Sequence, residues 1–155
     1  MNYGIISLDN LYYHNALIIS EMVCLSAYDS ILVCVTRQKA CERLIRAAAE
    51  LKKEDGALYV IHVTKESWNF VDDARDGEAL EYLFSLSKSY GADLTILNSD
   101  RIPETIAQFA EHYGIQLIVI GEGPDKSADS FKNRLSTLLA DTDIHIKIIP
   151  SPCAQ

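Results

Sequence analysis

Basic side chains and glycines gather at two places in an otherwise acidic chain. Thr36, Arg37, Gln38 and Lys39 follow one apolar run, and Gly121, Gly123, Lys126, Ser127, Ser130, Lys132 and Arg134 follow another. Free backbone N–H donors at helix starts, backed by cations, are the groups that hold an anionic phosphate. Against a formal net charge of −8, this local basicity is informative. A plainer reading has equal standing: Gly121-Glu-Gly-Pro124 is a flexible turn, and Lys126, Lys132 and Arg134 are solvated helix residues balanced by Asp125 and Asp129. Neither a Walker pattern nor GxGxxG is present to decide between the two. Val63, at the end of another apolar run, completes the candidate set for an anion or nucleotide.

Other chemistries find less support. His14, His62, His112 and His145 are scattered, and none pairs with cysteine or carboxylate at metal-ligand spacing. His62 and His145 fall inside apolar runs, where a hydrogen-bonded structural histidine is the common outcome. Cys24, Cys34, Cys41 and Cys153 lack CxxC spacing, so a reducing cytosol fits them and no thiol chemistry is assigned. Asp72, Asp73 and Asp76 read as a solvated acidic run rather than a carboxylate pair. Trp68 and Phe70 would cover an adenine ring or pack down on a sheet edge. No catalytic residue and no metal ligand is expected.

Composition bounds the rest. A chain of 155 residues with 48% hydrophobic and 23% charged residues supports one packed core. The negative balance argues against nucleic acid as a partner, which needs a basic stripe. The apolar stretch Ala16 to Leu25 is interrupted by Ser20 and Glu21 and falls short of the ~20 residues a bilayer requires, so no membrane insertion is expected. The expected organisation is an N-terminal extension or linker over 1–30, one domain over 31–150 and a tail over 151–155.

The elements that would position the two basic clusters follow from periodicity. Strand-length apolar runs at Ile31–Val35, Leu58–Val63, Asp93–Leu97, Ile115–Ile120 and Ile144–Ile149 alternate with amphipathic segments. The helical stripes are Cys41, Leu44, Ile45, Ala48 and Leu51; Leu80, Leu83, Phe84 and Tyr90; Ile106, Phe109, Ala110 and Tyr113; and Phe131, Leu135, Leu138 and Leu139. Gly56, Gly91 and Gly114 each stand between a helix and the next strand, where a left-handed residue closes the helix. This βαβα order predicts an α/β fold, a three-layer α/β/α sandwich on a five-stranded, mainly parallel sheet in order 3-2-1-4-5. In that order the loops after strands one and four share a crevice. Ile144, Ile146 and Ile148 alternate with polar residues in the last strand, a candidate edge for homodimer pairing.

Four segments, Ile31-Leu-Val-Cys-Val, Glu42-Arg-Leu-Ile-Arg-Ala-Ala-Ala49, Gly56-Ala-Leu-Tyr-Val-Ile-His-Val63 and Leu117-Ile-Val-Ile-Gly121, resemble the universal stress proteins, in particular the stress-protein-like cytoplasmic domain of KdpD-type sensor kinases for potassium and osmotic stress. The resemblance implies a regulatory domain, cytoplasmic location, homodimerisation or contact with other domains of a sensor kinase, and in some members ATP or AMP binding. Nucleotide-binding members carry an Asp after strand one and G-x-x-G-x9-G-[S/T] after strand four. Here Thr36 and Arg37 stand at the first, while Pro124 and Arg134-Leu135 replace the later glycines. The elements that bind a cyclic dinucleotide in some KdpD-like domains, S-x-S and F-T-A-x-Y, correspond to Thr36-Arg-Gln38 and Leu58-Tyr-Val-Ile-His62. With these motifs degenerate, the resemblance leaves open ATP or AMP, a cyclic dinucleotide, a different anion, or no small ligand.

Overall fold

A computed structural model describes residues 28–35, 38–65, 74–122 and 127–151, with the backbone alone for 38–40, 74–76 and 127–128. Strand β1 spans Tyr28–Cys34, β2 Lys52–Thr64, β3 Asp93–Asn98, β4 Leu117–Gly121 and β5 His145–Ile149. Between them lie α1 (Gln38–Leu51), α2 (Ala74–Ser89), α3 (Ile102–His112) and α4 (Ser127–Leu138). The sheet order is β3-β2-β1-β4-β5, and every neighbouring pair is parallel. The expected topology is met.

β1 is central because its residues are apolar on both sides. Ile31, Val33 and Val35 join the cluster under α1 and α2, while Leu32 and Cys34 join the cluster under α3 and α4. Ile31, Leu32 and Val33 have no exposed surface. Each such side chain is worth roughly 1.5–3 kcal/mol relative to exposure, which fixes the strand against slipping by one residue. On α1 the stripe Cys41, Leu44, Ile45, Ala48 and Leu51 is buried throughout, as its spacing predicts.

Two helical stripes turn out differently. Leu83 and Ser87 take the inward face of α2, which leaves Phe84, one position round the helix from Leu83, 57% exposed. Tyr113 caps α3 and is exposed, although its ring stays 4.4 Å from that of Phe109. The glycine pattern holds at Gly91 (φ 68°) and Gly114 (φ 63°) and fails at Gly56. There the turn out of α1 is absorbed into β2, which starts at Lys52 and shifts register between Tyr28 and Ser30. What Gly56 supplies is space: a Cβ would lie 2.8 Å from the Asp29 carbonyl oxygen and 2.9 Å from Lys52 Cγ.

Candidate functional site

β1 and β4 run side by side, Ile31 opposite Leu117 and Val33 opposite Val119, so both C-terminal ends open at the same pole. α1 then departs over one face and α4 over the other. This is the switch point of a doubly wound sheet, where two helix N-termini diverge and leave backbone N–H groups without intrahelical partners. The two strand ends are adjacent, as the binding proposal requires.

The surroundings of the crevice are specific to this sequence. Gly121 ends β4, and a Cβ there would sit 3.3 Å from Leu44 Cδ1, so the glycine lets α1 lie close to the strand. His62 is half-buried on β2, with Nδ1 2.8 Å from the carbonyl oxygen of Val35, the residue at which β1 gives way to the following loop. A carbonyl can only accept, so Nδ1 carries a proton in this bond. Val63 is buried in the cluster under α3 and α4, so its side chain serves the core. The next residue, Thr64, is also buried; its hydroxyl bonds the Asn98 side chain, and its carbonyl accepts from Ser99 N–H at 2.8 Å, which closes the ends of β2 and β3.

The lip of β4 is tied to the end of β5. Glu122 N–H donates to Ile149 O at 2.9 Å, Ser151 N–H donates to Glu122 Oε2 at 2.9 Å, and Ser151 Oγ donates to Glu122 O at 3.1 Å. From α1, Arg43 donates to the Pro150 carbonyl. Sequence reasoning missed Arg43, Glu122 and Ser151, because a bond between residues 29 or 107 positions apart leaves no local pattern.

Of the candidate ligand residues, Thr36, Arg37, Gly123 and Lys126 lie outside the described residues. Gln38 and Lys39 open α1, and Ser127 opens α4. Lys132 is half-buried on α4. Arg134 is engaged elsewhere, its Nη2 and Nε lying 2.7 Å and 3.1 Å from Glu104 Oε1 on α3. That bond, followed by one from the Glu104 backbone, holds the Glu104 carboxyl below its ordinary range. An anion would compete with Glu104 for Arg134. Ile144, Ile146 and Ile148 are half-buried against the molecule's own core, so the outer edge of β5 offers backbone rather than isoleucine side chains. Trp68 and Phe70 lie outside the described residues.

Burial pushes the thiols of Cys34 and Cys41 upward, which makes both poor nucleophiles. Among the described residues no group of His, Cys, Asp and Glu is placed to hold a metal ion. No helix among them is long and apolar enough to cross a membrane.

No family model matches the chain. Sensor protein KdpD of Escherichia coli (strain K12) is 22% identical over 131 residues, covering 82% of this chain and 14% of that protein. The chain thus spans a small part of the curated relative it matches. Similar solved structures include hypothetical protein MJ0577 (TM-score 0.60, 14% identity, 82% of this chain and 99% of that one). Others are the universal stress protein from Archaeoglobus fulgidus in complex with dAMP (TM-score 0.55, 24% identity, 79% and 98%) and a universal stress protein in complex with cAMP (TM-score 0.52, 14% identity, 80% and 98%). The chain has the universal stress protein fold, with a weak sequence likeness to KdpD.

Proposed function

We propose that this chain is a non-catalytic regulatory domain, working in the cytoplasm, that couples occupancy of the β1/β4 crevice to the state of the β5 edge. The observation that carries the reading is the latch between Glu122 and the Ile149–Ser151 segment. An anion held near Gly121, Gly123, Lys126 and Lys132 approaches the Glu122 carboxylate, and like charges at such range repel. Displacing Glu122 releases Ser151 N–H, and with it the exit of β5. Coupling between two sites of this kind is typically worth ~1–3 kcal/mol, or about 5–150-fold in affinity.

The ligand class is an adenine nucleotide such as ATP or AMP, or a cyclic dinucleotide; the dAMP and cAMP complexes of structures with this fold support it. The partner is a second copy along β5 or, by the likeness to KdpD, other domains of a potassium or osmotic stress sensor kinase. A second reading, a dimerisation module without small ligand, is favoured by the outer side of β5, which is unpaired among the described residues. The domain itself is taken as 31–150, with 1–30 as an extension or linker and 151–155 as a tail.

Calorimetry with ATP, ADP, AMP and cyclic di-AMP, followed by sedimentation with and without the binder, tests both readings. One of these ligands is expected to bind, to bind more weakly after Lys132→Ala, and to shift the monomer–dimer balance. Silence at millimolar ligand removes the nucleotide, and a monomer at all micromolar concentrations removes the dimer. Turnover of ATP that vanishes with Lys126→Ala would overturn the non-catalytic assignment.

A further inference from the structure

The exit of β5 is held from two sides by groups of opposite charge. On one side stands Glu122, whose N–H donates to Ile149 O and whose carboxylate accepts Ser151 N–H. On the other stands Arg43 of α1, whose Nη1 donates to the carbonyl of Pro150 between them. Arg43 is half-buried, and its neighbour Leu44 is the residue that Gly121 admits against the end of β4. Because β4 lies between β1 and β5, the Arg43 side chain reaches past the head of β4 to touch Pro150.

The cationic arm is built for exchange. A guanidinium carries its N–H donors in a planar fork that matches two oxygens of a phosphate group. Its bond to Pro150 gives Arg43 a single neutral acceptor, and among the described residues it has no ion-pair partner. A bidentate pair with an oxyanion adds a second bond and the attraction of opposite charges, so a phosphate beside Gly121 outcompetes one carbonyl. The two arms then act together: the anion draws Arg43 off Pro150 and drives the Glu122 carboxylate away from itself. Both movements free the same segment, Ile149 to Ser151.

We propose that Arg43 is the anion-sensing residue of the β1/β4 crevice, exchanging the Pro150 carbonyl for the oxygens of a phosphate group and thereby releasing the exit of β5. This role rests on the reading above that an anion enters the crevice; what it adds is the side chain that registers the arrival.

Hydrogen exchange at Ser151 N–H in the full chain, followed by NMR, tests this in inorganic pyrophosphate, in ATP and in sodium chloride of matched ionic strength, with calorimetry for affinity. In the parent, pyrophosphate or ATP should quicken that exchange about tenfold over sodium chloride. Arg43→Ala should exchange fast in all three solutions and bind the same anion about tenfold more weakly. Arg43→Gln, which keeps an amide donor without the charge, should lose the affinity in the same way and covers a failure of Arg43→Ala to fold. Arg46→Ala removes an equal charge from an exposed position on the same helix and should behave as the parent does. Parental affinity and response in either Arg43 variant, binding to the parent with no change at Ser151, or an equal loss in Arg46→Ala would overturn the role of Arg43 and leave the crevice reading standing. A parent that binds neither anion overturns both.

Discussion

Single residues in this domain decide questions that their types leave open. Gly56 lies in β2 and Gly77 in the first turn of α2, and a would-be Cβ at Gly56 is hemmed in by Asp29 O at 2.8 Å while one at Gly77 has nothing within 4 Å. Gly56→Ala should therefore destabilise by about 1–3 kcal/mol through overpacking. Gly77→Ala, inside α2, should stabilise by about 0.5–1 kcal/mol by removing backbone freedom from the unfolded chain; urea unfolding of the pair gives both signs. Ser87 offers a different contrast, since its hydroxyl is buried with no hydrogen-bond partner. Ser87→Ala should raise stability by about 1 kcal/mol, because a desolvated, unpaired hydroxyl is removed at little cost in volume. Glu104 carries a pH dependence. Its carboxyl is held below the ordinary range by Arg134, so the stabilisation is fully present above the unfolded-state pKa of about 4.3 and is lost as pH falls through the folded value. The urea midpoints of the parent and Glu104→Gln should differ at pH 7 and converge in acid.

At the scale of elements, much was legible in the sequence. Ile31 to Val35 announces a central strand because a run apolar at every position is stable only when both faces are covered, and the stripe from Cys41 to Leu51 can bury only one side of a helix. Phe84 was misread as core because apolar spacing marks which residues share a helix face, while β3, which this flank of α2 meets, ends the sheet. Gly56 was misread for a related reason: whether a glycine caps a helix or sits in a bulge depends on the register with β1, which local sequence does not encode. The crevice followed from topology, whereas the Arg134–Glu104 pair and the Glu122–Ser151 latch join residues brought together only by packing. That latch makes a prediction of its own. Glu122→Ala removes the acceptor for Ser151 N–H, so exchange at Ser151 should quicken while Ile118 and Val119, deep in β4, stay protected. Equal loss of protection along all of β4 would show that Glu122 supports the strand rather than its lip.

The whole molecule combines a formal charge of −8 with a sheet whose two edges, β3 and β5, are unpaired among the described residues. Self-repulsion of that charge opposes compaction and is screened by salt. The midpoint of thermal unfolding should therefore rise between 20 mM and 500 mM sodium chloride; a fall would mean that attractive pairs such as Lys53–Asp29 outweigh the repulsion. The parallel arrangement also has a mechanical side. Because all five strands point one way, the polypeptide comes in at the foot of β1, beside the Asp29–Lys53 pair, and goes out at the head of β5, beside Arg43. Those points are separated by the height of the sheet, ~17–23 Å for strands of this length. A pull applied between Tyr28 and Ser151 consequently acts along the strands, as on the two ends of a shaft. Traction at one of these points has to cross the hydrogen-bonded ladders from β1 through β4 to β5 before it reaches the other.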